Sequence, residues 1–176
     1  MGIRPKFASL SLALLICTSC SAPPGSVISV IDIVDGDTIV VDVPGHSPEQ
    51  VRLLGIDTPE TIDPFRPVQC FGAEATEFLT ELIPPGTAID LERDEEARDR
   101  YGRLLAYVFR ADDGLFVNAE LLRHGYADLS IYDPNNAYGE LLGSEELTAK
   151  TRAAGLWSAC GGADVPIDPP PVTATD

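Results

Sequence analysis

The chain has 176 residues and a formal net charge of -16, from 28 acidic and 12 basic side chains. The length suits one domain with a hydrophobic core, and a hydrophobic content of 44% indicates a folded globular body. The acidic balance argues against the broad basic surface typical of nucleic-acid-binding proteins. A polyanion would therefore have to be held by a few well-placed arginines.

The first 19 residues predict a signal peptide. Arg4 and Lys6 form a basic start, residues 10–16 are apolar, and small residues follow. The apolar stretch is too short to span a bilayer. The sequence therefore predicts an exported protein, whose mature form would be still more acidic.

Cys20 is a candidate for lipidation. It follows small residues, and residues 20–26 predict a linker. These features resemble the signal of bacterial lipoproteins, in which the cysteine becomes a lipid-modified N-terminus. Cys17 stands where that motif usually carries a leucine-like residue, so lipid anchoring and free secretion both remain open. A single acyl chain binds a membrane only marginally, so stable anchoring would need further chains.

Five short strands are predicted from β-rich apolar runs bounded by turn residues. In chain order they cover residues 27–34, 38–43, 51–54, 88–91 and 104–109. Asp35-Gly36-Asp37 predicts a hairpin turn between the first two strands, and Thr58-Pro59 turns the chain away after the third. Residues 61–70 and the highly charged residues 92–100 predict loops.

Helical spacing of apolar residues predicts a helix over residues 71–83, which Pro84-Pro85-Gly86 ends. Asn118 predicts the N-cap of a second helix that runs to about His124.

Asn135 or Asn136 predicts the N-cap of the third helix, which runs to about Ala153. Its inward-facing residues are predicted to be Leu141, Leu142 and Leu147. Residues 161–176 are rich in proline and lack periodicity, which predicts a disordered tail.

Five strands, with one helix after the third and two helices at the end, suit a small closed barrel of the OB type. The sequence therefore predicts an α+β fold with a five-stranded OB barrel and three helices, over residues 27–160.

Cysteine usage predicts one disulfide. If Cys17 and Cys20 belong to the signal, Cys70 and Cys160 remain, and export permits a bridge between them. Such a bridge would close a loop of about 90 residues and contribute about 4 kcal/mol by restricting the unfolded chain. These two cysteines and the two histidines have no spacing typical of a zinc site.

Four polar groups lie at the ends of predicted elements. Arg52 can make paired hydrogen bonds to a phosphate, and the nearby carboxylates of Asp57 and Glu60 can hold a hard metal ion or activate water. The groups are Asp35-Gly36-Asp37-Thr38, Arg52 with Asp57-Thr58-Pro59-Glu60, Arg100-Tyr101-Gly102-Arg103 and Asp133-Pro134-Asn135-Asn136. Each alone is equally compatible with a turn, an ion pair, a solvated loop or a helix cap.

Together and in this order, the four groups resemble the staphylococcal (micrococcal) nuclease family, the thermonuclease-like domains. The matching strings are IVDGDT at 33–38, RLLGIDTPET at 52–61, DRYGRLLAY at 99–107, YDPNN at 132–136 and GLW at 155–157. The resemblance covers about residues 27–158. It implies an OB barrel with three helices and calcium-dependent hydrolysis of DNA and RNA that generally leaves 3'-phosphate ends.

The resemblance implies a calcium site. Asp37 and Asp57 would be carboxylate ligands, and the Thr58 carbonyl would complete the protein's share of the ligands. Oxygen donors with added water are what calcium prefers. Asp35 would lie near the metal and tune it without binding it.

The resemblance also implies roles in catalysis and substrate binding. Arg52 and Arg103 would bind the scissile phosphate and stabilise the charge that it gains during attack. Glu60 would accept a proton from the attacking water. Arg100 and Tyr101 would bind a terminal or neighbouring phosphate.

Some residues depart from the family pattern. Ser130 stands where the prototype carries a tyrosine that stacks on a base. The loop over residues 62–71 and the acidic residues 94–96 replace lysine-rich counterparts, which implies a weaker hold on polyanions and stronger sensitivity to salt.

Two other interpretations remain open. The domain could be a catalytically inactive OB-type module that binds nucleic acid or calcium, but such a module would not need Arg52, Glu60 and Arg103 together. It could also be an acidic calcium-binding surface protein, but this leaves the arginines without a role. We expect a monomer with no protein partner, attached to a membrane only if Cys20 is lipidated.

Overall fold

The computed structural model describes residues 27–61 and 68–167. The predicted signal peptide, the linker with Cys20, the middle of the predicted loop at 61–70 and the end of the predicted tail lie outside the described residues. Within these two ranges, none of the helices combines the length and the apolar character needed to cross a bilayer.

The described residues form strands and helices close to those predicted. In chain order they are β1 (Ile28–Asp35), β2 (Thr38–Asp42), β3 (Glu49–Leu53), β4 (Gly55–Asp57), α1 (Gly72–Leu82), β5 (Ala88–Glu92), β6 (Leu104–Arg110), α2 (Val117–Arg123), β7 (Asp128–Ser130), α3 (Gly139–Arg152) and α4 (Leu156–Ala159). The five predicted strands and three predicted helices are present within a few residues of their expected bounds. The short elements β4, β7 and α4 are additions to the prediction.

Five strands close into a barrel in the order β1-β2-β3-β6-β5. Neighbours are antiparallel except β3 and β6, which run parallel. Alternate residues point inward, as in β2, where Ile39 and Val41 are fully buried, and in β3, where Val51 and Leu53 are buried. The predicted α+β class and the five-stranded OB-type barrel are confirmed.

A two-stranded antiparallel sheet of β4 and β7 accompanies the barrel. Asp57 lies opposite Asp128, and Gly55 lies opposite Ser130. Gly55 has a φ of +77°, and a Cβ there would lie 2.4 Å from Leu142 Cδ1, so the close approach of β4 and α3 requires glycine. Strands of three residues carry too little hydrophobic pattern to be predicted.

The third helix, α3, buries a narrow apolar face against α2 and β7. Leu141 and Leu147, predicted to face inward, are instead 43% and 64% exposed. Leu142 is fully buried as predicted, and so is Ala149, which lies seven residues later and therefore on the same face of α3. Leu141 and Leu147 lie outside this buried face of α3.

Asn118 is not the N-cap of α2. The helix begins at Val117, and Asn118 is fully buried within its first turn. Its Oδ1 accepts a hydrogen bond from the Val108 N–H at 2.9 Å, and its Nδ2 donates to the Leu54 carbonyl at 2.8 Å. The side chain therefore joins β6 to the residue that follows β3, which satisfies two buried backbone groups.

The predicted N-cap of α3 at Asn135 or Asn136 is also corrected, because the helix begins later, at Gly139. Asn135 is buried and exchanges two hydrogen bonds with the backbone of Glu96. The Glu96 N–H donates to Asn135 Oδ1 at 2.8 Å, and Asn135 Nδ2 donates to the Glu96 carbonyl at 3.1 Å. Residues 92–100, predicted as a solvated loop, are therefore tied to the segment before α3.

The predicted disulfide is present. Cys70 and Cys160 are bonded, with their Cα atoms 6.0 Å apart and a sequence separation of 90. Beyond the bridge, the Cys70 N–H donates to the Val165 carbonyl at 2.8 Å and the Ile167 N–H donates to the Val68 carbonyl at 2.9 Å. The ordered body therefore extends past residue 160, where the tail was predicted to begin, because this segment finds backbone partners beside the bridge.

Candidate active site

An open cleft of about 620 Å³ lies at the turn between β1 and β2, the ends of β3 and β4, and the turn before β6. It is lined by the eight residues predicted to bind metal or substrate or to act in catalysis, and by Asp35, which was predicted to tune the metal without binding it. The eight residues are Asp37, Arg52, Asp57, Thr58, Glu60, Arg100, Tyr101 and Arg103. These residues are distant in sequence, and the barrel brings them together because β3 lies between β2 and β6.

Arg52, on β3, is held by four oxygen atoms. Its Nη1 donates to the Leu53 carbonyl at 2.8 Å and to the Ile56 carbonyl at 2.9 Å. Its Nη2 donates to Asp57 Oδ1 at 2.6 Å, and its Nε lies 3.1 Å from Asp37 Oδ1. The two carbonyls fix the plane of the guanidinium, so its Nε–Nη2 edge faces the carboxylates and the cleft.

Asp37 is oriented by the residues on either side of the cleft. Its Oδ1 accepts from the Thr38 hydroxyl at 3.0 Å. Its Oδ2 accepts from the Thr58 N–H at 3.0 Å and from the Thr58 hydroxyl at 3.1 Å. Asp37 is only 7% exposed, so these bonds hold its carboxylate in one orientation next to Thr58.

Gly36 permits this approach, and its substitution gives a first prediction. Gly36→Ala is expected to lower the free energy of unfolding by about 1–3 kcal/mol through overpacking. The new Cβ would lie 2.7 Å from Thr58 Oγ1 and 2.9 Å from Ala75 Cβ. Urea unfolding would measure the change.

Gly143→Ala is the matched control for Gly36→Ala. A Cβ at Gly143 meets only Leu129 Cδ2, at 3.6 Å, and alanine favours the α3 helix by about 1 kcal/mol over glycine. If Gly36→Ala were as stable as the original protein, the close packing of Gly36 against Thr58 would be contradicted.

Partly buried carboxylates lie close together around the cleft. Burial raises the pKa of Asp35 to about 6, and the charge of Asp37 adds to the effect. Burial also raises the pKa of Asp128 to about 7, with a contribution from Asp57, its partner across β4 and β7. Added positive charge in the cleft would therefore favour the ionised forms of these carboxylates.

The donors available to a metal ion are oxygen atoms. Across residues 27–61 and 68–167, no three His, Cys, Asp or Glu side chains are arranged to hold a metal ion. The Asp37 and Asp57 carboxylates nevertheless contact one guanidinium, that of Arg52, and Thr58 lies in the same cleft. Two carboxylates and a backbone carbonyl are oxygen donors of the kind that hard divalent cations bind together with water.

The turn before β6 presents cations to the opposite side of the cleft. Asp99 Oδ1 accepts from the N–H groups of Tyr101 at 2.9 Å and Arg103 at 3.0 Å, and its Oδ2 accepts from Arg103 Nε at 2.7 Å. Burial alone would raise the pKa of Asp99, but the hydrogen bonds from Arg103 outweigh it and lower the pKa. Asp99 therefore organises the turn as a carboxylate.

An exposed ring accompanies these cations. The guanidinium carbons of Arg100 and Arg103 lie 4.8 Å and 5.6 Å from the centre of the Tyr101 ring, within cation–π range. Tyr101 is 69% exposed. This side of the cleft can therefore offer both positive charge and an aromatic surface to a ligand.

The cleft also contains residues to which the sequence analysis assigned no role. Tyr132 lines it and is 76% exposed, and Gln69 lines it but is almost fully buried. Tyr132 lies in the matching string YDPNN, which was a usable signal. Gln69 lies in a segment predicted only as a loop, and nothing in the sequence marked it. Ser130 lies in the cleft as well.

These features define the class of protein as an OB-fold domain. Its closed barrel carries a highly charged cleft, in which arginines and carboxylates are gathered at the ends of the strands. A sequence model described as "Staphylococcal nuclease homologue" matches residues 50–159. The chain belongs to the staphylococcal nuclease family.

Three relatives illustrate the similarity. The thermonuclease of Staphylococcus intermedius is 38% identical over 125 residues, which cover 71% of this chain and 72% of the relative. The thermonuclease of Staphylococcus hyicus is 39% identical over 129 residues, with coverage of 73% and 74%. Endonuclease YncB of Bacillus subtilis is 41% identical over 130 residues, with coverage of 73% and 60%.

Proposed function

We propose that the chain is an exported, calcium-dependent nuclease that hydrolyses phosphodiester bonds in DNA and RNA. The observation that carries the proposal is that Arg52, Arg103 and Glu60 share one cleft with the carboxylates of Asp37 and Asp57. The relatives named as thermonucleases and as an endonuclease support the same activity. An inactive binding module would have no need for this combination of groups.

The two arginines would bind the scissile phosphate. Arg52 is anchored through Nη1, and its Nε and Nη2 pair with Asp37 and Asp57 in the cleft, so this edge would become available to the phosphate when a metal ion takes those carboxylates. Arg103 reaches the same cleft from the turn before β6, and its Nη1 lies 3.5 Å from Thr38 Oγ1. Guanidinium groups fixed in this way stabilise the charge that a phosphodiester gains during attack, without having to reorganise.

Glu60 would act as the general base. It lines the cleft just after β4, together with Asp57 and Arg52. A carboxylate in that place can accept the proton of a water molecule that attacks the phosphorus in line with the leaving oxygen. The expected products carry 3'-phosphate ends.

Asp37, Asp57 and the Thr58 carbonyl would hold the calcium ion. The bound ion would supply positive charge that offsets the phosphate and the acidic cleft. Asp35 would influence this site through its buried charge, since the Asp37 N–H donates to Asp35 Oδ1 at 3.1 Å. The hydrogen bonds of Asp37 to Thr58 keep its carboxylate oriented for this role.

Arg100 and Tyr101 would contact a neighbouring phosphate or the adjacent nucleoside. The overall charge of -16 opposes binding of a polyanion, so we expect the protein to hold nucleic acid weakly. The first 19 residues would direct export. Lipidation of Cys20 would attach the protein to a membrane, and without it the protein would be secreted.

Incubation of the purified protein with plasmid DNA and with RNA tests this proposal. Both substrates are expected to be degraded with calcium and to remain intact with a chelator. Glu60→Gln keeps the shape but removes the proton acceptor, and is expected to lower kcat by about 100-fold. The fragments should need treatment with a 3'-phosphatase before a polymerase can extend them.

Glu77→Gln, at an exposed position of α1, is the control for the same chemical change outside the cleft. Nuclease activity that does not depend on calcium would contradict the metal assignment. Equal activity of the two variants would contradict the assignment of Glu60 as the base.

A further inference from the structure

Gln69 and Glu60 hold each other through two hydrogen bonds at the edge of the cleft. The Glu60 N–H donates to Gln69 Oε1 at 2.6 Å. In return, the Gln69 N–H donates to the Glu60 carbonyl at 2.8 Å. Gln69 is only 9% exposed, so water does not readily replace either bond. The backbone of Glu60 is therefore fixed on both of its polar groups by one residue.

Asp164 determines how the Gln69 amide is oriented. Gln69 Nε2 donates to Asp164 Oδ1 at 2.9 Å. A carboxylate can only accept, so it selects the amide nitrogen and leaves the amide oxygen to face the Glu60 N–H. The two ends of one side chain thus link Asp164 to Glu60.

Asp164 lies in a segment that is held in place by the disulfide and by backbone hydrogen bonds. We refer to residues 161–167 as the C-terminal strap. It begins directly after Cys160, which is bonded to Cys70, and it pairs with the chain around Gln69 through hydrogen bonds on either side. The strap and its disulfide therefore hold Asp164 next to Gln69.

The backbone around Glu60 also rests against the start of α1. A Cβ at Gly72 would lie 2.7 Å from the Pro59 carbonyl oxygen, 2.7 Å from Thr61 Cγ2 and 3.2 Å from the Glu60 carbonyl oxygen. The segment from Pro59 to Thr61 is therefore packed closely against the start of this helix. Gln69 and Gly72 together leave little freedom to the backbone of Glu60.

We propose that Gln69 is a positioning residue for Glu60, and that the disulfide-bonded C-terminal strap orients Gln69 through Asp164. The strap, which does not line the cleft, would thereby act on the catalytic site through Gln69. The effect on kcat that we expect from this inference rests on the proposed nuclease function. The fixed position of Glu60 itself can be measured without any catalysis.

The kinetic test compares Gln69→Ala with the original protein at a temperature where both are fully folded. Gln69→Ala is expected to lower kcat by about tenfold or more, because a small displacement of a catalytic group is costly, while KM stays within about twofold. Arg123→Ala is the control, since it removes ion pairs to Glu120 and Glu145 away from the cleft. It should leave kcat unchanged even if it lowers stability. An unchanged kcat for Gln69→Ala would overturn the proposal.

A pair of exchanged side chains gives a second, more specific test. Gln69→Glu keeps the acceptor for the Glu60 N–H but sets a carboxylate against Asp164, so kcat should fall. Adding Asp164→Asn restores a donor–acceptor pair, because the new amide nitrogen can donate to the new carboxylate. Recovery of kcat to within about threefold of the original supports the link, since a mispositioned group accounts for the loss. No recovery would contradict it.

Amide hydrogen exchange in the peptide that contains Glu60 separates this inference from the proposed function. Gln69→Ala should accelerate exchange of the Glu60 amide by about tenfold or more, because its acceptor is lost. If the original protein has no nuclease activity, the proposed function fails, yet faster exchange still upholds the fixed position of Glu60. Equal exchange in the two proteins would overturn it, whatever the activity.

Discussion

Arg52→Lys is expected to lower kcat of the nuclease by about 100-fold or more, in the range found when one preorganised donor to a developing charge is removed. The loss follows from geometry, since the positive charge is retained. Arg52 uses Nη1 to bind two carbonyls and directs its Nε–Nη2 edge at Asp37, Asp57 and the cleft. A lysine ammonium is a single point of charge and cannot keep both anchors while offering a bidentate edge.

Arg123→Lys is the matched control for this prediction. Arg123 also makes paired hydrogen bonds with a carboxylate, that of Glu145, but it lies on α2 and does not line the cleft. Steady-state kinetics on plasmid DNA, with circular dichroism to confirm folding, would compare the two variants. If Arg52→Lys and Arg123→Lys had similar kcat values, Arg52 would not be a ligand of the scissile phosphate.

The barrel could be predicted because each strand repeats a local pattern. Ile39 and Val41 alternate with more exposed neighbours on β2, and Asp35-Gly36-Asp37 marks the turn that precedes it. The polar groups of the cleft were predictable for a related reason. They stand at the ends of elements, where the chain needs turn residues anyway, and their order and spacing matched a known family.

The partners of buried polar side chains could not be predicted in this way. Asn118 and Asn135 both look like N-caps in the sequence, because asparagine before an apolar run favours that position. In the fold they bind backbone groups of Leu54, Val108 and Glu96 instead. Tertiary packing determines which unsatisfied backbone groups lie within hydrogen-bond distance of each asparagine side chain. Local sequence patterns do not contain this information.

Gln69 illustrates the same limit within the cleft. Its neighbours in sequence predict only a loop, whereas its three hydrogen bonds to Glu60 and Asp164 join positions 60, 69 and 164. The disulfide, in contrast, could be predicted from the sequence, because export and the two remaining cysteines favour a bridge between them. The pairing of the C-terminal strap beside that bridge could be seen only in the fold.

The double variant Cys70→Ser with Cys160→Ser is expected to lose about 4 kcal/mol in free energy of unfolding, which corresponds to a decrease in Tm of roughly 10 °C for a domain of this size. The bridge closes a loop with a sequence separation of 90, and this loop includes α1, β5, β6, α2, β7, α3 and α4. Without the bridge, the unfolded chain regains the conformations that the closed loop excludes. Guanidinium and thermal unfolding would measure the loss.

Treatment of the original protein with a reductant should reproduce the stability of the double variant, and the double variant should be insensitive to the same treatment. The comparison matters because serine also changes packing around the two sites, whereas reduction leaves every other atom in place. Equal Tm values for the oxidised protein and the double variant would show that the bridge adds no stability. Because the strap begins directly after Cys160 and Gln69 precedes Cys70, the reduced protein should also show faster amide exchange at Glu60 before global unfolding begins.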